Sequence, residues 1–404
     1  MKRPLFLALI AFSLFAAQPD PKKAGLDPQQ LAKIPARMKE FVDRGELSGA
    51  VTLVARHGVL GSLDAVGWQN VEEKKPMRVD TVFQVMSMTK PFTGVGIMML
   101  VEEGRLRITD PVEKHLPEFR GQMVIESRTA DTRVLAKPSR PITIFDLMTH
   151  TSGMSGGPPE GIKDVLQKMD LPLAQAVAIY SQQPLDFEPG TKWQYSNTGL
   201  ATLGRIIEAA SGQPYEKFLE NRIFRPLGMK DSFIFPPQDK LSRVAMVYKF
   251  EDGKLQRSGS EILGGDPATF RKGARYSGPE YALCTTAQDL FAFYQMMLNG
   301  GAYNGQRLLS RASVDAMTKV HTGNLKAGHN PGTAFGLTWE VVKDSVGLFG
   351  LLSQDTFGHG GAFGTHGWID RAKDLVGVFL IQSARGPAND AKYAFMAMAN
   401  AAVE

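Results

Sequence analysis

Strand-like segments lie near both ends of the 404-residue chain, and helical segments occupy most of the middle. Residues 49–68, GAVTLVARHGVLGSLDAVGW, are rich in Val and Leu and are interrupted at His57-Gly58, which predicts a β-hairpin. After residue 333 the segments TAFGLTWEVVKD, THGWIDR and DLVGVFLIQS are again strand-like. This order predicts an α/β (α+β) chain in which both ends form one unit and a helical lobe is inserted between them.

The inserted helical lobe is predicted over residues 86–264, and the α/β lobe over residues 24–85 and 265–404. The cleft between two such lobes is a usual place for a ligand site. Residues 120–141 are polar and irregular, which predicts a surface excursion without regular structure. The single cysteine, Cys284, cannot form an intramolecular disulfide and is expected to be a small buried apolar residue rather than a nucleophile.

The N-terminal segment has the layout of an export signal. Lys2 and Arg3 precede an apolar run over residues 5–17, which is shorter than the ~20 residues that span a bilayer comfortably. We therefore predict a signal peptide over residues 1–17 and a mature protein that is periplasmic or secreted, with no membrane contact beyond export. The alternative is an uncleaved membrane anchor. Nucleic-acid binding is not expected, because the net charge is only +5 and no run of Lys and Arg occurs.

Ser87 and Lys90 are the first candidate pair for chemistry. Pro91 is tolerated only in the first turn of a helix, so a helix that runs toward Gly104 must begin close to Ser87. Residues three apart share a helix face, so the hydroxyl and the amine can meet. A lysine whose pKa is lowered by burial can act as a base toward such a serine. The alternative is that Ser87 caps the helix and Lys90 is a solvated side chain.

Two further short motifs carry candidate functional groups. Tyr195-Ser-Asn197 follows a Pro-Gly turn and precedes a helical segment, so a loop presents it. Tyr195 beside an ammonium group is expected to be stabilised as phenolate and to move a proton to a leaving group. His359-Gly-Gly361 permits close approach of backbone at a strand edge. The alternatives are that Tyr195 fills the core and Asn197 caps the helix.

These three motifs, in this order, resemble those of the serine β-lactamase and penicillin-binding-protein superfamily. The resemblance is narrower to the class C β-lactamases and to their esterase relatives, the family VIII carboxylesterases. It also includes LMTHTSGM, FEPGTKWQYSNTGLATLGRIIEAASG, RPLGMKDS and CTTAQDLFAFYQMMLNGG, and it covers residues 25–400. It implies an antiparallel sheet flanked by helices, an inserted all-helical lobe, and a serine at their junction.

The resemblance also implies a role for each site residue. Ser87 would be the acylated nucleophile, Lys90 would accept its proton, and Tyr195 would share base and acid duties. Substrate-binding residues would be Asn197, His359, Gly360, Gly361 and Ala362, with Asn197 holding the amide or ester group and the backbone amides of Ser87 and Ala362 forming the oxyanion hole. No cofactor and no metal is expected, and the substrate would be a small ester or amide.

His359 departs from the pattern of the lactam-hydrolysing members, which usually carry a lysine at this place. A lysine there binds the carboxylate of a β-lactam, and a neutral imidazole does so poorly because its ordinary pKa is ~6.5. The sequence therefore favours a carboxylesterase acting on short acyl esters through an acyl-enzyme on Ser87. The alternatives on the same fold are a β-lactamase and a D-amino-acid peptidase or acyltransferase.

Two other interpretations of the sequence compete with this one. Gly153-Met-Ser155-Gly-Gly157 fits the Gly-x-Ser-x-Gly nucleophile elbow, but that motif needs a strand before it and a helix after it. Here a helical segment precedes it and GGPPEG follows, so we predict a flexible loop. A non-catalytic binding protein on the same fold is the alternative of another class. The oligomeric state is not indicated by the sequence.

Overall fold

The computed structural model describes residues 18–159, 169–258 and 273–404. The predicted signal peptide therefore lies outside the described residues, as does the predicted lobe boundary between residues 264 and 265. Among the described residues, no helix has the length and apolar character needed to cross a membrane.

The strands are short, apart from the first two in the chain. In chain order they are β1 Gly49–Arg56, β2 Val59–Asn70, β3 Lys75–Pro76, β4 Phe83–Gln84, β5 Val124–Arg128, β6 Arg133–Ala136, β7 Tyr248–Glu251, β8 Lys254–Arg257, β9 Cys284–Thr285, β10 Ala302–Tyr303, β11 Gln306–Arg307, β12 Thr333–Phe335, β13 Glu340–Val342, β14 Phe357–Gly360, β15 His366–Asp370, β16 Leu375–Leu380 and β17 Ser383–Arg385.

The helices lie at both ends of the chain and through its middle. They are α1 Pro28–Leu31, α2 Lys33–Asp43, α3 Lys90–Glu102, α4 Val112–His115, α5 Ile144–Met148, α6 Leu173–Ser181, α7 Asn197–Ser211, α8 Tyr215–Leu219, α9 Arg225–Leu227, α10 Ala287–Leu298, α11 Arg311–Thr318 and α12 Ala388–Ala401. A π-helical segment, Glu220–Phe224, joins α8 to α9. Short 3₁₀ turns occupy Met86–Thr89, Pro117–Phe119, Gln238–Arg243 and Gly347–Phe349.

One antiparallel sheet joins the two ends of the chain. Within the described ranges it has eight strands, in the order β12-β13-β14-β15-β16-β1-β2-β3. The two ends of the chain meet in the sheet where β1 pairs with β16, for example at Val51 and Leu380. The predicted hairpin is present as β1 and β2, and His57 and Gly58 form its turn with φ of 55° and 71°. The expected sheet from both ends is therefore confirmed.

Helices cover both faces of this sheet because its strands alternate between two cores. On β1, Ala50 and Val54 belong to a core that also contains Phe41 of α2 and Phe395 of α12. The intervening Val51 belongs to the larger core, which extends through α10 and α3 into the middle of the chain. Helix α3 is buried almost all round, so it is the central helix on which this larger core is built.

Two local predictions have different outcomes. Residues 120–141 are not wholly irregular, because β5 and β6 pair as an antiparallel hairpin. Most of the side chains on these two strands are exposed, so the hairpin shows none of the apolar alternation that predicts strands. Cys284 is buried in a small apolar cluster with Val82 and Val244, as expected.

Candidate active site

The turn that carries Ser87 is strained and tightly held. Met86 has a φ of 51°, a left-handed conformation that is uncommon for a residue other than glycine. The 3₁₀ turn Met86–Thr89 follows, and α3 begins at Lys90 with Pro91 in its first turn. Thr89 fixes the turn, because its Oγ1 donates to the Met86 carbonyl at 2.6 Å and accepts from the Leu283 amide at 3.1 Å.

Lys90 is fully buried beneath Ser87. Its Nζ donates to Ser87 Oγ at 2.9 Å and to the backbone carbonyl of Glu280 at 2.8 Å, and it lies 4.7 Å from the centroid of the Tyr195 ring. Burial lowers the pKa of Lys90 from 10.5 to about 7, although the charge of Glu280 opposes this shift. Near neutral pH the amine is therefore partly uncharged, and it can accept a proton from the hydroxyl that it touches.

Tyr195 is held in place by His150. The loop residues on either side of Tyr195 both contact this histidine: Gln194 donates its amide to the His150 carbonyl at 2.9 Å, and Ser196 donates its amide to His150 Nδ1 at 3.0 Å. The two rings lie 4.5 Å apart, centroid to centroid. Sequence reasoning did not single out His150, although it lies within the LMTHTSGM segment.

The expected phenolate form of Tyr195 is not supported. Burial raises the pKa of Tyr195 well above its ordinary value, and a hydrogen bond with Ser87 offsets this only in part. Burial of the phenol is the main reason that the expectation fails, and Lys90, which is partly uncharged, does not provide the full positive charge that would stabilise a phenolate. Tyr195 is therefore a protonated phenol that can donate a proton, and Lys90 is the stronger candidate for the base.

Asn197 begins helix α7, which Ser196 caps by accepting the Gly199 amide at 2.9 Å. Its Nδ2 donates to the Gly156 carbonyl at 3.1 Å. The structure thus anchors this side chain to a neighbouring loop. Its predicted role toward substrate stays a prediction.

The third motif is pressed against the Ser87 turn. A Cβ atom added at Gly361 would lie 2.3 Å from the Val85 carbonyl oxygen, so only glycine allows this approach. Thr365 Oγ1 donates to the same carbonyl at 3.1 Å. Gly360, Gly361 and Ala362 consequently line the same cleft as Ser87.

His359 is buried beside this cleft and is uncharged. Burial lowers the pKa of His359 to about 3, and the nearby charge of Lys90 acts in the same direction. Its Nδ1 is 2.7 Å from the Gly360 carbonyl, so Nδ1 carries the proton. The other nitrogen, Nε2, has no hydrogen-bond partner among the described residues. The imidazole is therefore a neutral hydrogen-bond acceptor at any ordinary assay pH.

The cleft has a volume of about 410 Å³ and brings most of the predicted site residues together. Ser87, Tyr195 and His359 line it, and Lys90 lies beneath it. Sequence reasoning missed Lys392, which projects from α12 into the cleft, where its Nζ donates to Asn389 Oδ1 at 3.0 Å. No local motif marks Lys392, because α12 reaches the cleft only through the folding of the whole chain.

Ser155 lies in a loop, not in a strand-turn-helix elbow. Its Oγ donates to the Gly157 carbonyl at 2.7 Å, and its own carbonyl accepts from Ser196 and Thr198. The loop thus supports the Tyr195 loop, and the interpretation of Ser155 as nucleophile loses its structural basis. Over residues 18–159, 169–258 and 273–404, no three His, Cys, Asp or Glu side chains are grouped as metal ligands.

Comparison with known protein families assigns the chain to a family. Residues 34–402 match the family described as Beta-lactamase. The chain belongs to the beta-lactamase family. It is therefore a member of the superfamily of serine β-lactamases and penicillin-binding proteins, as its three motifs predict.

Two relatives, one of them named as an esterase, match most of this chain. Esterase EstB of Burkholderia gladioli is 30% identical over 390 residues, which cover 91% of this chain and 95% of that protein. Protein Rv1367c of Mycobacterium tuberculosis (strain ATCC 25618 / H37Rv) is 31% identical over 361 residues, which cover 86% of this chain and 88% of that protein.

The solved structure of EstCE1, described as a hydrolase with promiscuous acyltransferase activity, has the same fold. Its TM-score is 0.77 at 24% identity, and the match covers 93% of this chain and 99% of EstCE1. The predicted β-lactamase-like fold is thus confirmed, but the inserted lobe is not all-helical, because the pairs β5–β6 and β7–β8 lie within residues 86–264. With its family and its esterase relatives, the chain is a serine hydrolase, which removes the alternative of a non-catalytic binding protein.

Proposed function

We propose that this chain is an exported carboxylesterase that hydrolyses short acyl esters through an acyl-enzyme on Ser87. The observation that carries the proposal is the 2.9 Å contact between Ser87 Oγ and a fully buried Lys90 amine whose pKa is about 7. A serine and a partly uncharged lysine at hydrogen-bond distance form an activated nucleophile. The ester preference is supported by the similarity to EstB and by the neutral His359.

Acylation follows from the positions of these groups. Lys90 Nζ takes the proton of Ser87 as Oγ forms a bond with the ester carbonyl carbon. The carbonyl oxygen becomes an oxyanion, which the backbone amides of Ser87 and Ala362 stabilise by about 3–4 kcal/mol per donor. When the oxyanion collapses, the bond to the alcohol oxygen breaks and the alcohol leaves with a proton. Tyr195, a protonated phenol near both residues, donates that proton and recovers one from Lys90.

Deacylation reverses these roles with water in place of the alcohol. The uncharged Lys90 amine, with Tyr195 as the intervening phenol, takes a proton from the water molecule that attacks the acyl carbon. The bond between that carbon and Ser87 Oγ breaks, and Oγ recovers a proton from Lys90. The acid leaves, and the pair returns to its starting state.

A second candidate function is favoured by Lys392. This cation in the cleft offers a partner to a carboxylate, which β-lactams and D-amino-acid peptides carry and simple esters lack. Burial lowers the pKa of Lys392, and the charge of Glu340 opposes this shift. Lys392→Met tests the candidate. If the physiological substrate carries a carboxylate, this variant loses activity on a cephalosporin or a D-alanyl peptide and keeps its activity on p-nitrophenyl acetate.

The decisive experiment is a panel of p-nitrophenyl acyl esters of increasing chain length, assayed beside a chromogenic cephalosporin. We expect the shortest esters to be the best substrates. Ser87→Ala should abolish hydrolysis and labelling by a fluorophosphonate probe, whereas the matched control Ser155→Ala should keep most of both. Loss of activity in Ser155→Ala alone would reverse the assignment of the nucleophile, and faster turnover of the cephalosporin than of any ester would refute the ester preference.

Export is the remaining element of the proposal, and it is supported by the basic and apolar character of residues 1–17. N-terminal sequencing of the protein recovered from the periplasm or the medium tests it. A mature N-terminus near residue 18 is the expected result. Recovery of the whole protein from the cytoplasm with Met1 retained would contradict export.

A further inference from the structure

Glu280, whose backbone carbonyl contacts the catalytic amine, carries a buried carboxyl group that the steps above do not use. Glu280 is 5% exposed. Its Oε1 accepts a hydrogen bond from the Tyr276 hydroxyl at 2.7 Å, and its Oε2 has no partner among the described residues. A buried carboxyl with an oxygen that lacks a hydrogen-bond partner costs stability, which favours a functional role for this side chain.

Glu280 is fixed to the catalytic helix at its backbone. Its carbonyl accepts from Lys90 Nζ at 2.8 Å, and the carbonyl of the preceding residue, Pro279, accepts from Thr93 Oγ1 at 2.7 Å. Lys90 and Thr93 are one turn apart on α3, so two consecutive carbonyls hold this segment against the helix. Pro279 is also packed closely on α7, since a Cβ atom at Gly204 would lie 2.1 Å from its side chain. The backbone of Glu280 is therefore fixed at the amine, and the hydrogen bond from Tyr276 orients its carboxyl.

Among the described titratable groups around the catalytic amine, Lys90 and Glu280 change charge near neutral pH. Burial lowers the pKa of Lys90 and raises the pKa of Glu280, each to about 7. The other titratable groups that face the pair are neutral at this pH, because burial raises the pKa of the tyrosines and lowers the pKa of the histidines: Tyr180, Tyr195, Tyr215, Tyr276, His150 and His359. Two further carboxylates act on those tyrosines: Glu216, which accepts from Ser277, acts on Tyr215, and Glu340 acts on Tyr195.

We propose that Glu280 is a positioning residue whose carboxylate supplies the counter-charge for the Lys90 ammonium that forms when Ser87 attacks. The proposal rests on the proposed function, in which Lys90 takes the Ser87 proton. That proton moves from Oγ to Nζ as the bond between Oγ and the acyl carbon forms, and Glu280 neither gains nor loses a proton in the step. A buried ammonium is otherwise strongly disfavoured, and an opposite charge nearby offsets that cost.

Glu280→Gln removes the charge and keeps the backbone carbonyl that contacts Lys90. Because the carboxylate raises the pKa of Lys90, its removal lowers that pKa. The uncharged amine then persists to lower pH, and the acid limb of the pH profile moves down by about 1 pH unit. The plateau rate should fall about 10-fold, because the ammonium formed in the reaction has lost its counter-charge and the amine is a weaker base.

The experiment measures the rate constant for fluorophosphonate labelling of the full chain between pH 5 and 9, so that it does not depend on the choice of ester. Asp289→Asn is the matched control. Asp289 is also a buried carboxyl, whose burial raises its pKa to about 6, but its hydrogen-bond partners are the Asp231 amide and Ser232. We expect the acid limb of this control to coincide with that of the wild type.

Tyr276→Phe provides a second test that is milder for the fold. The Tyr276 hydrogen bond lowers the pKa of Glu280, so its loss makes the carboxyl less ionised near neutral pH. The acid limb should move in the same direction as in Glu280→Gln, by a smaller amount. An acid limb that stays at the wild-type pH in a folded Glu280→Gln would overturn the proposal. If Glu280→Gln does not fold, an unmoved limb in Tyr276→Phe overturns it. A wild-type protein that is not labelled on Ser87 would refute the proposed function instead.

Discussion

Replacing the catalytic lysine should make the folded protein more stable while it abolishes activity. The ordinary pKa of a lysine is 10.5, and burial lowers that of Lys90 to about 7. Each pKa unit corresponds to about 1.4 kcal/mol, so burying this amine costs the folded state on the order of 4 kcal/mol at pH 7. Lys90→Met removes that cost with a side chain of similar shape.

The gain is reduced by the contacts that the methionine cannot make. The Glu280 carbonyl and Ser87 Oγ each lose a hydrogen bond, and the carbonyl is left buried without its donor. At about 1 kcal/mol for each hydrogen bond, the net gain in the free energy of unfolding is roughly 2 kcal/mol at pH 7.

The sign of this effect changes with pH in a defined way. The folded pKa lies below the unfolded one, so between pH 7 and 10.5 the unfolded chain binds more protons and the wild type becomes more stable as pH rises. The advantage of Lys90→Met is therefore largest at pH 7 and below. Toward pH 10.5 the burial cost vanishes, and the two lost hydrogen bonds leave the variant less stable than the wild type by about 2 kcal/mol.

Urea unfolding followed by tryptophan fluorescence at pH 7 and pH 10 measures the difference. Lys217→Met is the matched control, since Lys217 is exposed and pairs with Glu220 at the surface. We expect its unfolding free energy to differ little from that of the wild type at both pH values. If Lys90→Met is less stable than the wild type at pH 7, burial of the amine does not destabilise the folded state, and the lowered pKa of Lys90 is wrong.

Two further results follow from the same geometry. Lys90→Ala and Tyr195→Phe should each lower kcat by at least about 100-fold, and the double variant should fall little further; multiplication of the two effects would show that the residues act independently. His359→Lys should raise cephalosporin turnover by a factor of about 10–150 and change short-ester turnover little, because it adds a charge-assisted contact to the carboxylate. Lowering the pH to 5.5 should not reproduce this gain, since the pKa of His359 is about 3, and a variant that helps neither substrate would exclude His359 as the discriminating position.

The sequence was most informative where local chemistry determines local structure. The turn at His57-Gly58 and the placement of Pro91 in the first turn of α3 follow from the backbone preferences of those residues. The contact between Ser87 and Lys90 follows from their spacing of three residues. These features required no knowledge of the rest of the chain.

The features that sequence reasoning missed depend on contacts between distant parts of the chain. Glu280 and Lys392 reach the site from segments that carry no motif, and only the packed structure brings them there. The phenolate expectation for Tyr195 was wrong for a related reason. That expectation considered the charge of Lys90 but not the burial of Tyr195 and Lys90. Burial has the larger effect on the pKa of each residue.

The pairing of β1 with β16 delays completion of the sheet until late in synthesis of the chain. A strand near the start of the chain has to wait for its neighbour until almost the whole chain has left the ribosome, which at roughly 5–20 residues per second takes on the order of tens of seconds. During that interval β1 presents an open edge to which strands of other chains can add. Any shortened product that ends before β16 should therefore aggregate rather than fold, because its first strand lacks the neighbour that covers this edge.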